Sequence, residues 1–312
     1  MAEKTLVHYE AKDGVATITL DDPPANTYTH EMMRQLDEAV LKARFADDVQ
    51  VIVLTGAGEK FFSAGANIQM LSEVTTGFKY CFCLHANETL LRLEHTPKLS
   101  IAALNGHTVG GGLEIAMACD MILARKDGGQ VGLPEVNLGV LPGTGGTQRL
   151  SRLVGKAKAI ELMVTGETFG FDRAVELGIV NRELEASDRD DFMKQVMDFA
   201  LSFTTDNKAT KAVGHIKRSV QTGSMLPLEQ GLALERELQQ QLFASEDARE
   251  GLSAYVEKRK PAFKGKCPPH ERRHDPNEAL DRERLGRRRL RGHLPHGEPG
   301  HRRGPGRSSR SP

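Results

Sequence analysis

The 312-residue sequence predicts an α/β fold built on a recurring strand–strand–helix unit and followed by a helical C-terminal region. Two observations carry this reading. Short apolar or alternating runs at residues 14–20, 49–55 and 99–104 have the length and period of strands, and segments of helical period separate them. Beyond residue 188 only the helical period remains, as far as about Lys264.

Taken in order, residues 6–9 and 14–20 read as a strand pair joined at Lys12-Asp13-Gly14, and Asp21-Asp22-Pro23-Pro24 ends the second strand. Met32, Met33, Leu36, Ala39, Val40 and Ala43 then fall on one helical face. Residues 49–55 form a buried strand closed by Gly56-Ala57-Gly58, and residues 61–68 form a small-residue turn that leads into another helix start. Leu84, Leu90, Leu91 and Leu93 suit a helix over 78–94 that stops before Pro97. After a strand at 121–124, residues 139–147 are a glycine cluster that lacks the Gly-Lys-Ser/Thr ending of a phosphate loop. Residues 156–178 read as two short helices around Thr165-Gly166-Glu167. Helical segments follow at 188–203, 207–221 and 227–260, the last broken near 244–247.

The stretch from Asn105 to Asp120 stands apart. It is the end of an apolar strand, a glycine turn (Gly110-Gly111-Gly112) and a helix start with Glu114 in its first turn. Unpaired N–H groups at a helix start favour negative charge, and glycine lets a ligand approach the backbone. Glu114 lies among Leu113, Ile115, Ala116 and Met117, and an unpaired buried carboxylate is costly. It is either an acid or base of a reaction or a glutamate that complements the helix dipole. Glu135 is a second acid in apolar and glycine-rich company, so the pair is raw material for acid–base chemistry.

Composition narrows the function classes. Hydrophobic residues make up 39% of the chain, enough for a sizeable core, and the formal net charge is zero. The balance is uneven. Residues 267–312 carry 12 Arg and no Lys against 6 acids, which leaves the rest of the chain at −6. An acidic body and a basic tail without interleaved aromatics argue against a nucleic-acid-binding module. Cys81, Cys83, Cys119 and Cys267 show no zinc-ligand spacing, so no metal site is expected, and the thiols read as small apolar fillers in a reducing, cytoplasmic setting. No apolar run is long enough to span a membrane, and the N-terminus has no secretory pattern.

Five motifs in unbroken order resemble the crotonase family, and most closely its enoyl-CoA hydratases. They are Phe62-Ser63-Ala64-Gly65-Ala66-Asn67-Ile68, Asn105-Gly106 through Gly110-Gly111-Gly112-Leu113-Glu114, Leu133-Pro134-Glu135, residues 142–150 and residues 250–260. The resemblance implies a spiral of ββα turns over residues 1–195 and a helical oligomerisation region over 196–266, giving a homotrimer or homohexamer. It implies hydration of a 2,3-unsaturated acyl-CoA, with coenzyme A entering as part of the substrate and no tightly bound cofactor. The thioester oxygen would sit in an oxyanion hole made by the N–H groups of Ala66 and Gly111, with Glu114 as base and Glu135 as acid. Ala25, Ala64, Gly65, Asn67, Ile68 and Lys258 would contact the substrate or its CoA portion. Asn67 stands where the family commonly has Asp, and the 125–129 loop is slightly longer than usual, a change expected at the surface. An isomerase or decarboxylase sharing the enolate intermediate is the alternative within the fold. Proline at Gly111 is expected to delete one oxyanion donor without unfolding the helix.

Residues 267–312 contain no Val, Ile, Met, Phe or Tyr, and such a segment is expected to be disordered. So abrupt a change of composition is what a shifted reading frame in a GC-rich gene would produce. A chain ending at Lys266 should therefore match the full-length protein in melting temperature, oligomer size and hydratase rate. A loss of more than about tenfold in rate, or ~1.4 kcal/mol in the barrier, would make the tail a working part of the protein.

Overall fold

The computed structural model describes residues 4–265, so the expectations for 267–312, including Cys267, lie outside the described residues. Strands β1 (Val7–Lys12) and β2 (Val15–Leu20) form the expected hairpin, and helix α1 (His30–Phe45) follows. Thr29 caps α1 by accepting from the Met32 N–H, and all six residues of the expected apolar face are buried. Next come β3 (Val51–Gly56), β4 (Phe61–Ser63), α2 (Ile68–Glu73) and α3 (Thr76–Glu94). The following turn of the spiral is β5 (Leu99–Leu104), β6 (His107–Val109) and α4 (Gly111–Ala116). Then β7 (Met121–Arg125) and β8 (Gln130–Gly132) lead through a 3₁₀ turn at Pro134–Leu138 into α5 (Gly146–Val154) and α6 (Lys156–Thr165). The remainder is β9 (Thr168–Gly170), α7 (Phe171–Glu176), β10 (Arg182–Leu184), α8 (Arg189–Leu201), α9 (Thr210–Gly223), α10 (Leu228–Phe243) and α11 (Glu246–Glu257).

Successive turns send one strand to each of two sheets. The larger runs β1-β2-β3-β5-β7-β10 and the smaller β4-β6-β8-β9, with parallel pairing at every step except β1–β2 and β8–β9. Strands β3 and β5 are buried along their whole length, as in a parallel sheet covered on both faces. Ile52 and Leu54 face the main core with α1, α3 and α4, whereas Val51 and Val53 face Phe192, Val196 and Ala200 of α8. Helix α8 thus runs across the expected boundary at residue 195 and covers the outer face of the sheet.

Two asparagines fasten consecutive turns. Asn26 donates from Nδ2 to the carbonyls of Ala57 and Phe61 (both 3.0 Å), and Asn105 from its Nδ2 to those of Gly58 (2.8 Å) and Phe61 (3.2 Å). The Phe61 carbonyl therefore accepts from the turn before and the turn after.

Several expectations are corrected. Strands β6, β8, β9 and β10, of three residues each, are too short to show alternation. Helix α5 begins inside the glycine cluster at Gly146, where an uncapped glycine start hides the helical signal. On α3 the buried residues include Phe82, Ala86, Leu90 and Leu93, whereas Leu84 and Leu91 are exposed. Cys81 is exposed and is not a filler. The 125–129 loop, by contrast, lies at the surface as expected, with Lys126 and Asp127 exposed.

The helical region is pinned to the core by a buried ion pair. Lys217 of α9 reaches Asp120 at 2.8 Å and also donates to the Lys98 carbonyl at 3.0 Å. Removing one partner of such a pair leaves the other charge buried and unpaired, at about 3–5 kcal/mol. Lys217→Met should lower the unfolding free energy by that order, and adding Asp120→Asn should recover most of the loss in chemical unfolding.

Candidate active site

In the smaller sheet β4, β6 and β8 lie side by side and parallel, so the segments that leave their C-terminal ends emerge together. Those segments are Ala64–Ile68, Gly110–Glu114 and Pro134–Glu135. The topology alone brings three of the five motifs to one edge, the edge at which parallel sheets present their loops.

Two backbone N–H groups face each other's turns there. The bridge between Tyr28 and Ala66 uses the Tyr28 N–H on the Gly65 carbonyl (2.9 Å) and the Asn67 N–H on the Tyr28 carbonyl (3.0 Å), so the Ala66 N–H points away from Tyr28. Gly111 opens α4 behind an N-cap, Gly110, that offers no side-chain bond. Among the described residues neither N–H meets an acceptor. The turns approach so closely that a Cβ at Gly65, where φ is +88°, would lie 2.8 Å from the Gly111 nitrogen. A Cβ at Gly111 would lie 2.3 Å from the Tyr28 hydroxyl. This corrects the expectation for Gly111→Pro: the ring would collide with Tyr28, so that variant cannot isolate the loss of the N–H.

Glu114 is 1% exposed, and its Oε1 accepts from the N–H groups of Thr144 (2.7 Å) and Gly146 (2.6 Å). Burial pushes its pKa above the ordinary value, and these donors oppose the shift. Glu135 is in a different position. Its Oε2 is buried with no partner among the described residues. Burial raises its pKa to about 7, helped by the charge of Glu114 and opposed by a bond from its own N–H. Burial pushes both carboxyl groups up, but fixed donors answer Glu114, whereas the Oε2 of Glu135 is left without one.

Both glutamates, Ala64, Ala66, Ile68, Gly111, Tyr28 and Thr144 line one cavity of about 270 Å³. Leu71, Lys79, Val140 and Leu141 complete much of its wall. Ala25, Gly65, Asn67 and Lys258 are not among its lining residues. The Ala25 carbonyl accepts from the Ala64 N–H (2.9 Å), and Asn67 caps α2 by accepting from the Met70 N–H (2.9 Å). Lys258 ends α11 in the left-handed conformation (φ 57°) and is exposed. Sequence reasoning missed Tyr28, Thr144, Gly146, Lys79 and Leu71. Thr144 and Gly146 lie within a quoted motif, but only the folded chain shows that their N–H groups reach Glu114. No group of His, Cys, Asp or Glu suited to a metal ion occurs among the described residues.

A family model described as enoyl-CoA hydratase/isomerase matches residues 10–266. The chain belongs to the enoyl-CoA hydratase/isomerase family. Within it, the chain is 36% identical over 252 residues to the short-chain-enoyl-CoA hydratase of Clostridium acetobutylicum, covering 80% of this chain and 94% of that protein. It is 40% identical over 271 residues to a probable enoyl-CoA hydratase of Rhizobium meliloti, covering 85% and 99%. An enoyl-CoA hydratase crystal structure from Geobacillus kaustophilus superposes with a TM-score of 0.81 at 42% identity, covering 85% of this chain and 98% of that one.

A carboxyl whose folded pKa is raised binds its proton more tightly in the folded state, so its contribution to stability falls as pH rises from the ordinary carboxylate value to about 7. Glu135→Gln removes that penalty. It should raise the melting temperature above neutral pH and leave it unchanged near pH 4, a difference that calorimetry across pH would record.

Proposed function

We propose that the protein hydrates 2,3-unsaturated acyl-CoA thioesters to 3-hydroxyacyl-CoA. The observation that carries this reading is the presence, on one cavity, of two N–H groups without acceptors and two carboxyl groups, one met by fixed donors and one with an oxygen that has no partner among the described residues. The thioester oxygen accepts from the Ala66 and Gly111 N–H groups, which stabilise the charge that develops on it as the enolate forms. Glu114 takes a proton from water as the water oxygen bonds to the β-carbon. Glu135, protonated up to about pH 7, delivers its proton to the α-carbon. The balance is one water added across the double bond, and proton return from Glu114 to Glu135 restores the starting state.

Coenzyme A is a portion of the substrate in this reading, with no other cofactor called for. Ala64 and Ile68 line the cavity and support the CoA assignment directly, whereas Ala25, Gly65 and Asn67 support it by shaping the same turn. Lys258 is proposed to meet a CoA phosphate on the strength of the motif over residues 250–260. Isomerisation and decarboxylation are not favoured: both carboxyl groups are present, and the relatives named above carry hydratase names. A homotrimer or homohexamer is supported by exposed apolar residues on the helical region, among them Val220, Leu228, Phe243 and Val256. The free thiols of Cys81, Cys83 and Cys119 are in keeping with a reducing compartment such as the cytoplasm.

Hydration of crotonyl-CoA, followed by loss of the conjugated thioester absorbance, tests the assignment. Glu114→Ala and Glu135→Ala should each lower turnover by several powers of ten, and the double variant should fall far short of the product of the two losses. In the parent enzyme kcat/KM should decline above about pH 7 as Glu135 loses its proton. Near-normal hydration by either folded single variant would remove that residue from the mechanism.

A further inference from the structure

Tyr28 is buried, lines the cavity, and touches all three parts of the machinery. Its backbone brackets Ala66 through the Gly65 carbonyl and the Asn67 N–H. Its ring occupies the space a side chain at Gly111 would need. Its hydroxyl lies 2.9 Å from Thr144 Oγ1 in a buried contact. Thr144 in turn gives Glu114 its N–H (2.7 Å).

Burial and the nearby carboxylates raise the Tyr28 pKa, so the phenol keeps its proton. Either hydroxyl can donate in the contact between Tyr28 and Thr144, and in either direction the contact holds Thr144 Oγ1 in place. The residue so held is the one whose N–H reaches Glu114, beside the Gly146 N–H and the charge of Arg149, which also favour the ionised carboxylate. The phenol is thereby tied to a carboxylate far along the chain.

We propose that Tyr28 is a positioning residue for the hydration step: its hydroxyl fixes Thr144 so that Glu114 is held ionised and in register with the oxyanion donors. The proposal rests on the reading of Glu114 as the base. Without the phenol, Thr144 is no longer fixed through its hydroxyl, and the N–H that opposes the effect of burial on Glu114 is held less firmly. The pH at which Glu114 becomes ionised then rises.

The test is Tyr28→Phe, which keeps the ring against Gly111 and deletes only the hydroxyl. With crotonyl-CoA, kcat should fall by about tenfold while KM changes little, and the acid limb of kcat/KM against pH should move to higher pH. Thr144→Val should show the same displacement, Thr144→Ser should not, and Tyr28→Phe with Thr144→Val should be no worse than Thr144→Val alone. A packing role for Tyr28 would lower the melting temperature without moving the acid limb. An unmoved limb with parental kcat in Tyr28→Phe, or losses that multiply in the double variant, would overturn the proposal. Glu114→Ala separates the two levels: if it abolishes hydration while Tyr28→Phe does nothing, only the role of Tyr28 fails. If Glu114→Ala stays active, the reading of Glu114 fails and this proposal with it.

Discussion

The close approach of two backbone turns is the constraint on which the rest of the site depends. Strands β4 and β6 are parallel neighbours; a Cβ at Gly65 in the turn after the first would strike the Gly111 nitrogen in the turn after the second, and a Cβ at Gly111 would strike the Tyr28 side chain. Only glycine at both positions lets the two turns come this close. The parallel pairing sets the direction of these groups, and the burial of β3 and β5 behind them keeps the frame rigid. A site made of main-chain donors gains precision from this, because its geometry is that of the sheet itself and not of a rotamer.

The second feature is how differently the fold treats two carboxyl groups of the same chemistry. Glu114 is the more deeply buried, yet it is met by backbone N–H groups aimed at it from the start of α5 and the residues just before. Glu135 sits at the 3₁₀ turn with one oxygen buried and unanswered. Proximity then separates them further, since the charge on Glu114 opposes ionisation of Glu135. Two residues of one side-chain type thus meet different surroundings, which is what the proposed division into base and acid requires. Such an arrangement is paid for in stability, as an unsatisfied buried oxygen is not something a structure optimised for folding would retain.

Much of this was legible in the amino-acid sequence, for identifiable reasons. The α1 face of Met32, Met33, Leu36, Ala39, Val40 and Ala43 is a long periodic signal, and all of it is buried. Glu114 and Glu135 were conspicuous because a carboxylate amid apolar and glycine residues needs an explanation. The three-residue strands of the smaller sheet carry too little pattern to be read, although they decide where the site lies. Tyr28 carries no signal of its own in the sequence. Its hydroxyl acquires meaning only through Thr144, a partner distant in sequence, and no local pattern encodes that contact.

The asparagine contacts to the Phe61 carbonyl bear on how such a protein can diversify. Phe61 is the entry of β4, and the cavity opens past the exit of the same short strand. The clasp that sets the spacing of three successive turns uses Asn26, Phe61 and Asn105, none of which lines the cavity, whereas Ile68, Leu71 and Lys79, and Val140 and Leu141 beyond β8, do. Residues of the cavity wall can be exchanged for larger or smaller ones without touching the bonds that fix the pitch of the spiral. Under the proposed function, a new chain-length preference then needs no new scaffold.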